Sequence, residues 1–458
     1  MKETRVAAGL LFSALVLSVQ RSRGQTPPAG ERLTLSQAVD LALKNNPSVK
    51  AADAYAEAVR RAEAEAKAGY YPRVDFSEGF TRSNNPVFVF SSLLNQRQFS
   101  EQDFQLGSLN FPLPHDNFQT LFAAHTALYD AGQTKHHIRE ARLETQAAKH
   151  GMERTSQEVI FSVIRAYLND LLAAEGVRVA EASVASSEAD LSRAQTRQAQ
   201  GQALSSDVLS ATVQLAQAKE ELISTRNGVA IAQAGLNVAM GVPEDAPNQT
   251  HRPLSEAAFD RGTLAERQQR ALTARPDYQQ SLIGKEEAAN GAGTARAEFL
   301  PTLNAFGSWE IDNETFTSHG GNSWMAGATL NFNLFDGGAR RARLAESHAR
   351  ERQAEALRDQ LASAIRLQVR EAFLNLTAAG ERVEVSRQSA SQSQESLRIL
   401  QNRYEAGLVT ITDVLSAETA HARAQRDFLN AVYDERTAFA TLELATGELA
   451  ANSQSVVR

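Results

Sequence analysis

Two short stretches of this chain set an aspartate six residues behind a glycine and then repeat the same letters. GQALSSDVLSA runs from Gly201 to Ala211, and GLVTITDVLSA from Gly407 to Ala417. A glycine tolerates the left-handed backbone that ends a helix, so Gly201 and Gly407 suit the start of a turn between two helices. Asp207 and Asp413, with Ser206 and Thr412 just before them, are residue types that cap the returning helix or sit well in its first turn. Little else in the sequence offers chemistry. His136 and His137 are adjacent, and neighbours on a helix point apart, which is poor geometry for a shared metal. Gly291 and Gly293 in ANGAGTAR follow no strand, so they do not make a phosphate loop. No H-E-x-x-H, G-x-S-x-G or Ser/His/Asp spacing appears, and we expect no enzyme, cofactor or metal site.

Composition limits what can position those two turns. The chain has 458 residues, 42% of them hydrophobic, a formal net charge of −7 and no cysteine. The absence of cysteine excludes disulfides, thiolate metal sites and a lipid-anchored cysteine. The acid balance and the lack of basic runs argue against a nucleic-acid surface. Lys2 and Arg5 precede an apolar run from Val6 to Val19, too short to span a bilayer but suited to a secretory signal peptide, with cleavage expected near Gly24. No later window is long and apolar enough for a membrane helix, which leaves a β-barrel as a route into a membrane.

The chain repeats itself. At an offset of 206, Leu128–Gly241 aligns with Leu334–Gly447 without a gap: LYDAG over LFDGG, AYLN over AFLN, Gly201 over Gly407. At an offset of 229, LALKNNPSV (41–49) aligns with RALTARPDY (270–278), and YYPRV (70–74) with FLPTL (299–303). We therefore read a tandem duplication: a signal peptide at 1–24, a first repeat at 25–241, a linker at 242–262, a second repeat at 263–447 and a tail at 448–458. The change of offset places an insertion in the first repeat within about 83–117. Each repeat opens with a short helix stopped before a proline, at Pro47 and Pro276. A second helix over 48–68 follows in the first. A run at 132–199, with no proline and apolar positions recurring at three and four, reads as one rod of about 100 Å. It returns over 205–240, and the corresponding hairpin of the second repeat covers 338–446. Helix 48–68 can continue the return end to end.

Between these helices lie four strand candidates, about 70–82, 118–129, 299–312 and 324–335. Leu303, Ala305, Gly307, Trp309 and Ile311 alternate with Thr302, Asn304, Phe306, Ser308 and Glu310, and Trp324, Ala326, Ala328, Leu330, Phe332 and Leu334 alternate with Met325, Gly327, Thr329, Asn331 and Asn333. That is the period-two pattern of a barrel wall with lipid outside and water inside. Tyr70, Tyr71, Phe80, Phe299, Trp309 and Trp324 suit interfacial girdles. Four strands cannot close a barrel and open edges are not tolerated in lipid, so several chains must each supply four staves. The insertion NPVFVFSSLLNQRQF (85–99) is more apolar than an external loop requires; it either folds back against the barrel or covers its mouth.

These features resemble the TolC family of outer-membrane efflux proteins across essentially the whole mature chain. The most specific match is RYEAGLVTITDVLSAE (403–418), with a weaker copy at 197–212. The resemblance implies a mainly α protein with membrane β: a homotrimeric 12-stranded outer-membrane β-barrel continued by a long periplasmic α-helical barrel. It implies an exit duct of a tripartite efflux pump or type I secretion system, docking a periplasmic adaptor and an inner-membrane pump. A periplasmic coiled-coil adaptor without a barrel is the alternative. The resemblance also places Gly201, Asp207, Tyr404, Gly407 and Asp413 at the periplasmic tip and pore constriction. Three copies would set six carboxylates around one mouth, attracting cations and raising each other's pKa. Tyr404 matches a tyrosine that helps hold that mouth closed, although its first-repeat counterpart is Gln198. The family's tip arginine is Val409 here, so a salt-bridge latch at that position is not expected.

Overall fold

The computed structural model describes residues 33–248, 250 and 253–457; the signal-peptide segment lies outside the described residues. The first repeat runs α1 (Leu35–Asn45), α2 (Pro47–Lys67), β1 (Arg73–Ser83), α3 (Pro86–Asn95), α4 (Leu106–Asn110), β2 (His115–Tyr129), α5 (Gln133–Ala199) and α6 (Ser205–Met240). The second runs α7 (Leu264–Ala274), α8 (Pro276–Ala297), β3 (Thr302–Asn313), β4 (Gly321–Asn331), α9 (Ala339–Glu405) and α10 (Ile411–Thr446), and α11 (Gln454–Val457) ends the chain. The duplication is preserved to the residue in the long hairpins. Helices α5 and α9 each have 67 residues, and α6 and α10 each have 36.

Local chemistry sets the breaks. Thr34 and Gln37 form a capping box at α1, as do Thr263 and Glu266 at α7. Pro47 pushes Asn46 into an extended conformation (φ −61°, ψ 128°), which ends α1, and the Asn46 side chain then caps α2 by accepting from Ser48 N at 2.9 Å. The same step before Pro276 leaves Arg275 extended at φ −68°, ψ 124°. Asn46 Nδ2 donates to the Ala239 carbonyl at 2.9 Å, and Arg275 Nη1 donates to the Ala445 carbonyl at 3.1 Å. In this way α6 runs end-on into α2 alongside α5, and α10 into α8 alongside α9. Two short hydrophobic cores lie where α1 and α7 pack against these rods, one built on Val163, Ile164 and Leu168, the other on Ile365, Val369 and Leu376.

The histidines flagged in the sequence are separated. His136 Nδ1 lies 2.7 Å from Asn290 Oδ1, and Asn290 Nδ2 donates to the His136 carbonyl at 2.9 Å, joining α5 to α8. His137 is exposed beside Glu140. Gly293 gives the His136 ring its room, because a Cβ there would meet ring atom Cε1 at 2.3 Å. Gly293 therefore serves helix packing, whereas a Cβ at Gly291 would meet nothing within 4 Å.

The strands form one antiparallel sheet in the order β1-β2-β3-β4. Register puts Leu303 opposite Leu330, Ala305 opposite Ala328 and Trp309 opposite Trp324, so the alternation of the two strands coincides on one face. Phe76, Phe122, Trp309 and Trp324 occupy one row across all four strands, with ring centroids 5.1 Å apart for Phe76–Phe122 and 5.7 Å for Phe122–Trp309. Trp309 lies four residues from the outer end of β3 at Asn313, and Trp324 three residues from the outer end of β4 at Gly321. Phe80 stays near the outer ends beside Phe118, and Tyr70 and Tyr71 stay at the helix end. Two acids share the apolar face: Thr120 Oγ1 donates to Glu78 at 2.6 Å, and Asp116 pairs with Arg82 at 3.4 Å near the outer end. The opposite face carries Gln119, which donates to Glu310 at 2.7 Å, and Asn117, which donates to Asp312 at 2.5 Å. Strand β4 ends at Asn331, leaving Phe332 and Leu334 outside it. Among the described residues no helix is long and apolar enough to cross a membrane.

Candidate functional site

The far end of the long hairpins holds Gly201, Asp207, Tyr404, Gly407 and Asp413. At the end of α5, Gly201 takes φ +71°, its N–H bonds to the Gln198 carbonyl at 2.9 Å, and Gln202 N–H bonds to the Arg197 carbonyl at 2.8 Å. At the end of α9, Gly407 takes φ +76°, with matching bonds to Tyr404 at 3.0 Å and from Leu408 to Arg403 at 2.9 Å. Both turns are the left-handed helix stop that glycine favours.

The capping residues differ from the expected ones. Thr410, not Thr412, caps α10: its hydroxyl accepts from Asp413 N at 3.3 Å, and Asp413 Oδ2 accepts from Thr410 N at 2.9 Å and from its hydroxyl at 2.7 Å. Ser206 likewise lies within the first turn of α6, whose cap position is Leu204; there Asp207 Oδ2 accepts from Leu204 N at 3.0 Å. A helix begins at the residue whose backbone is still extended, and that residue lies three positions ahead of each aspartate. The Thr410 hydroxyl and backbone hydrogen bonds hold the Asp413 carboxyl below the usual range, opposing within the chain the upward push anticipated for a ring of like charges.

Tyr404 is buried against Ile411, Val414 and Leu415, and burial pushes its phenol up. Above it lies a polar cluster that the sequence did not reveal. Arg197, in the last turn of α5, sits 4.7 Å from the Tyr404 ring centroid and donates to the Tyr404 carbonyl. One turn back, Arg193 donates to Asp190 at 2.5 Å and pairs with Glu405 of α9 at 3.5 Å. Asp190 is fully buried, and its second oxygen has no hydrogen-bond donor. Glu418 of α10, 7% exposed, accepts from the Ser186 hydroxyl and faces the Asp190 carboxyl. Burial first, then the facing acid, push Glu418 up to about 8. The cluster therefore ties the first hairpin to the second by an arginine fork, a cation–π contact and a carboxyl pair that needs a proton. Arg193 and Arg197 supply from α5 the cationic contact that Val409 cannot.

One signal could have found it. At the offset of 206, Asp190, Arg193 and Glu418 align with Ser396, Ile399 and Thr212, so charge appears in only one copy. A hairpin contact between unlike partners needs such asymmetry, whereas the turns themselves keep the repeat.

Nothing in this cluster is arranged as a nucleophile and base; it can hold a proton and hold two hairpins together. Comparison with known proteins places it in a family. The model of the outer membrane efflux protein family matches residues 38–242 and 268–448. This chain belongs to the outer membrane efflux protein family. Such a protein lies in the outer membrane, with its helical part in the periplasm, and its fold is that of a channel rather than an enzyme. The chain is 26% identical over 430 residues to Protein CyaE of Bordetella pertussis, covering 92% of this chain and 86% of that one. It is 24% identical to the alkaline protease secretion protein AprF of Pseudomonas aeruginosa, covering 91% and 85%. Among solved structures, the outer membrane protein VceC of Vibrio cholerae superposes with a TM-score of 0.73 at 19% identity, over 90% of this chain and 96% of that one. CusC, whose crystal structures concern transmembrane channel formation, gives 0.76 at 17% identity, over 91% and 92%. This efflux protein therefore has its sheet in the membrane and its carboxyl cluster at the periplasmic end.

Proposed function

We propose that three copies of the chain close a 12-stranded barrel and act as a passive exit duct, receiving cargo from a periplasmic adaptor and an inner-membrane pump. The observation that carries this reading is the sheet. It presents Phe76 and Trp324 bare on one face, 62% and 79% exposed, and leaves β1 and β4 as unpaired edges. Such edges must pair in lipid, and only neighbouring copies offer matching strands. The coiled-coil adaptor alternative gives no account of that apolar face. The names of relatives that secrete proteases support secreted protein as one class of cargo.

The test is outer-membrane fractionation, a detergent-stable trimer and single-channel conductance in a planar bilayer. A water-soluble monomer without conductance overturns the reading. In the trimer, Asp207 and Asp413 would stand around the periplasmic mouth and bind cations. The double substitution Asp207→Ala with Asp413→Ala is expected to weaken block by di- and trivalent cations by about tenfold. The same change costs about 1 kcal/mol at the Thr410–Asp413 capping box and removes the Asp207 bond to Leu204 N, so thermal unfolding is measured alongside it. Unchanged block with the lower unfolding temperature would leave the aspartates as caps alone.

A further inference from the structure

The insertion between β1 and β2 lies at the end of the sheet opposite the long helices, which is the outer mouth of the duct. It is folded and pinned. Gln96, 2% exposed, donates to the Asp116 carbonyl and to Asn117 Oδ1, both at 2.8 Å, while its own oxygen lies 2.8 Å from His115 Nε2. Asn117 belongs to the polar face of the sheet and bonds on to Asp312 of β3. The segment then crosses to the far edge. Arg97, in a left-handed turn at φ +63°, donates to the Asn322 carbonyl of β4 at 3.2 Å. The Asn95 carbonyl packs so closely on Gly321 that a Cβ there would lie 1.8 Å away. Of the two courses open in the sequence, the segment takes the one over the lumen side.

Anchoring leaves an apolar surface uncovered. Phe90, Phe99 and Phe104 stack edge to face at centroid distances of 5.0 and 5.4 Å, yet Phe104, Leu106, Phe111 and Leu113 remain between 68% and 87% exposed. A patch of that kind on a folded element marks a contact surface. The segment that carries it is pinned on the polar face of the sheet at Asn117 and reaches β4 at Asn322, the edge where a neighbouring copy's β1 must pair.

We propose that the insertions of three copies meet over the barrel axis and form an apolar cap on the outer mouth. The partner of the exposed patch is thus a second copy of this chain, and the inference rests on the trimer reading above. An apolar constriction excludes water and ions until cargo pushes it aside. The cap would close the duct from outside, independently of the periplasmic tip.

The absence of cysteine makes the test direct. Leu106→Cys in the full chain, oxidised in intact outer membranes, should cross-link one copy to another. Ser308→Cys, on the polar face of β3, should react slowly with a bulky impermeant maleimide added outside cells. Adding Phe104→Ser, Leu106→Ser, Phe111→Ser and Leu113→Ser should speed that labelling by about tenfold or more. Equal labelling with an intact trimer, or cross-linking of Leu106→Cys to another protein, overturns the cap. Loss of the trimer in the unsubstituted chain would instead remove the ring, and the cap with it.

Discussion

Gly447→Ala is expected to destabilise the folded chain by about 2–4 kcal/mol and to remove most of the detergent-stable assembly. Two effects combine. The residue takes φ +76°, where a side chain costs about 1 kcal/mol or more. Its Cβ would also lie 2.8 Å from Arg275 Cα and N and 2.9 Å from the Ala274 carbonyl carbon. Those are backbone atoms of the α7–α8 step, held by Arg275, which is 3% exposed and bonded to Asp277, Gln368 and the Ala445 carbonyl. They cannot swing aside as a side chain could. Gly241 repeats the arrangement in the first half, with φ +71° and a Cβ 2.7 Å from Asn45 C and Asn46 N. The tip glycines provide the contrast: nothing stands within 4 Å of a Cβ at Gly201, and only the Arg197 guanidinium, at 3.5 Å, at Gly407. Their alanine variants should lose only the conformational part, about 1 kcal/mol. Helical unfolding followed by circular dichroism ranks the four. If Gly447→Ala melts no lower than Gly201→Ala, the end-on junction is not holding the rods in line.

That ranking also shows what was readable in the letters alone. Helix lengths, the paired turns and the proline steps follow from local backbone chemistry, which a duplicated sequence states twice. The junction is different in kind. Asn46 and Arg275 occupy equivalent positions and donate to equivalent carbonyls, but an amide and a guanidinium share no visible pattern. Thr410 rather than Thr412 is the cap, since Thr410, Thr412 and Asp413 all lie within four positions and only backbone conformation selects among them. The carboxyl cluster was hidden because Asp190 and Glu418 lie 228 residues apart and meet only once both hairpins are side by side. The path of the insertion depended on Gln96, an ordinary polar residue whose burial no composition foretells.

The carboxyl cluster makes the tip sensitive to pH in a definite direction. Glu418 titrates at about 8 where Asp190 faces it, against an ordinary value of 4.5. Between those two values the closed hairpins hold a proton that separated, hydrated hairpins release. Stability of the contact is therefore fully present below about 4.5 and is lost as pH rises toward about 8, by at most about tenfold per unit. Other charged groups surround the site. They are Arg193 and Arg197 on α5 and Glu405 on α9. His421, one turn along α10, is pushed down from 6.5 by burial, so its protonation opposes closure only at lower pH. The interval from 6.5 to 8 belongs to Glu418. Channel openings of the purified trimer should become more frequent across that interval, and Glu418→Gln should flatten the response. A glutamine amide can donate to Asp190 while its carbonyl accepts from Ser186, so the variant keeps the contact without the proton. Hydrogen exchange of the amides around Asp190 and Glu418 gives a second reading of the same opening. A flat response in the unsubstituted protein, or an undiminished slope in Glu418→Gln, would show that the two hairpins are held by the arginine contacts alone.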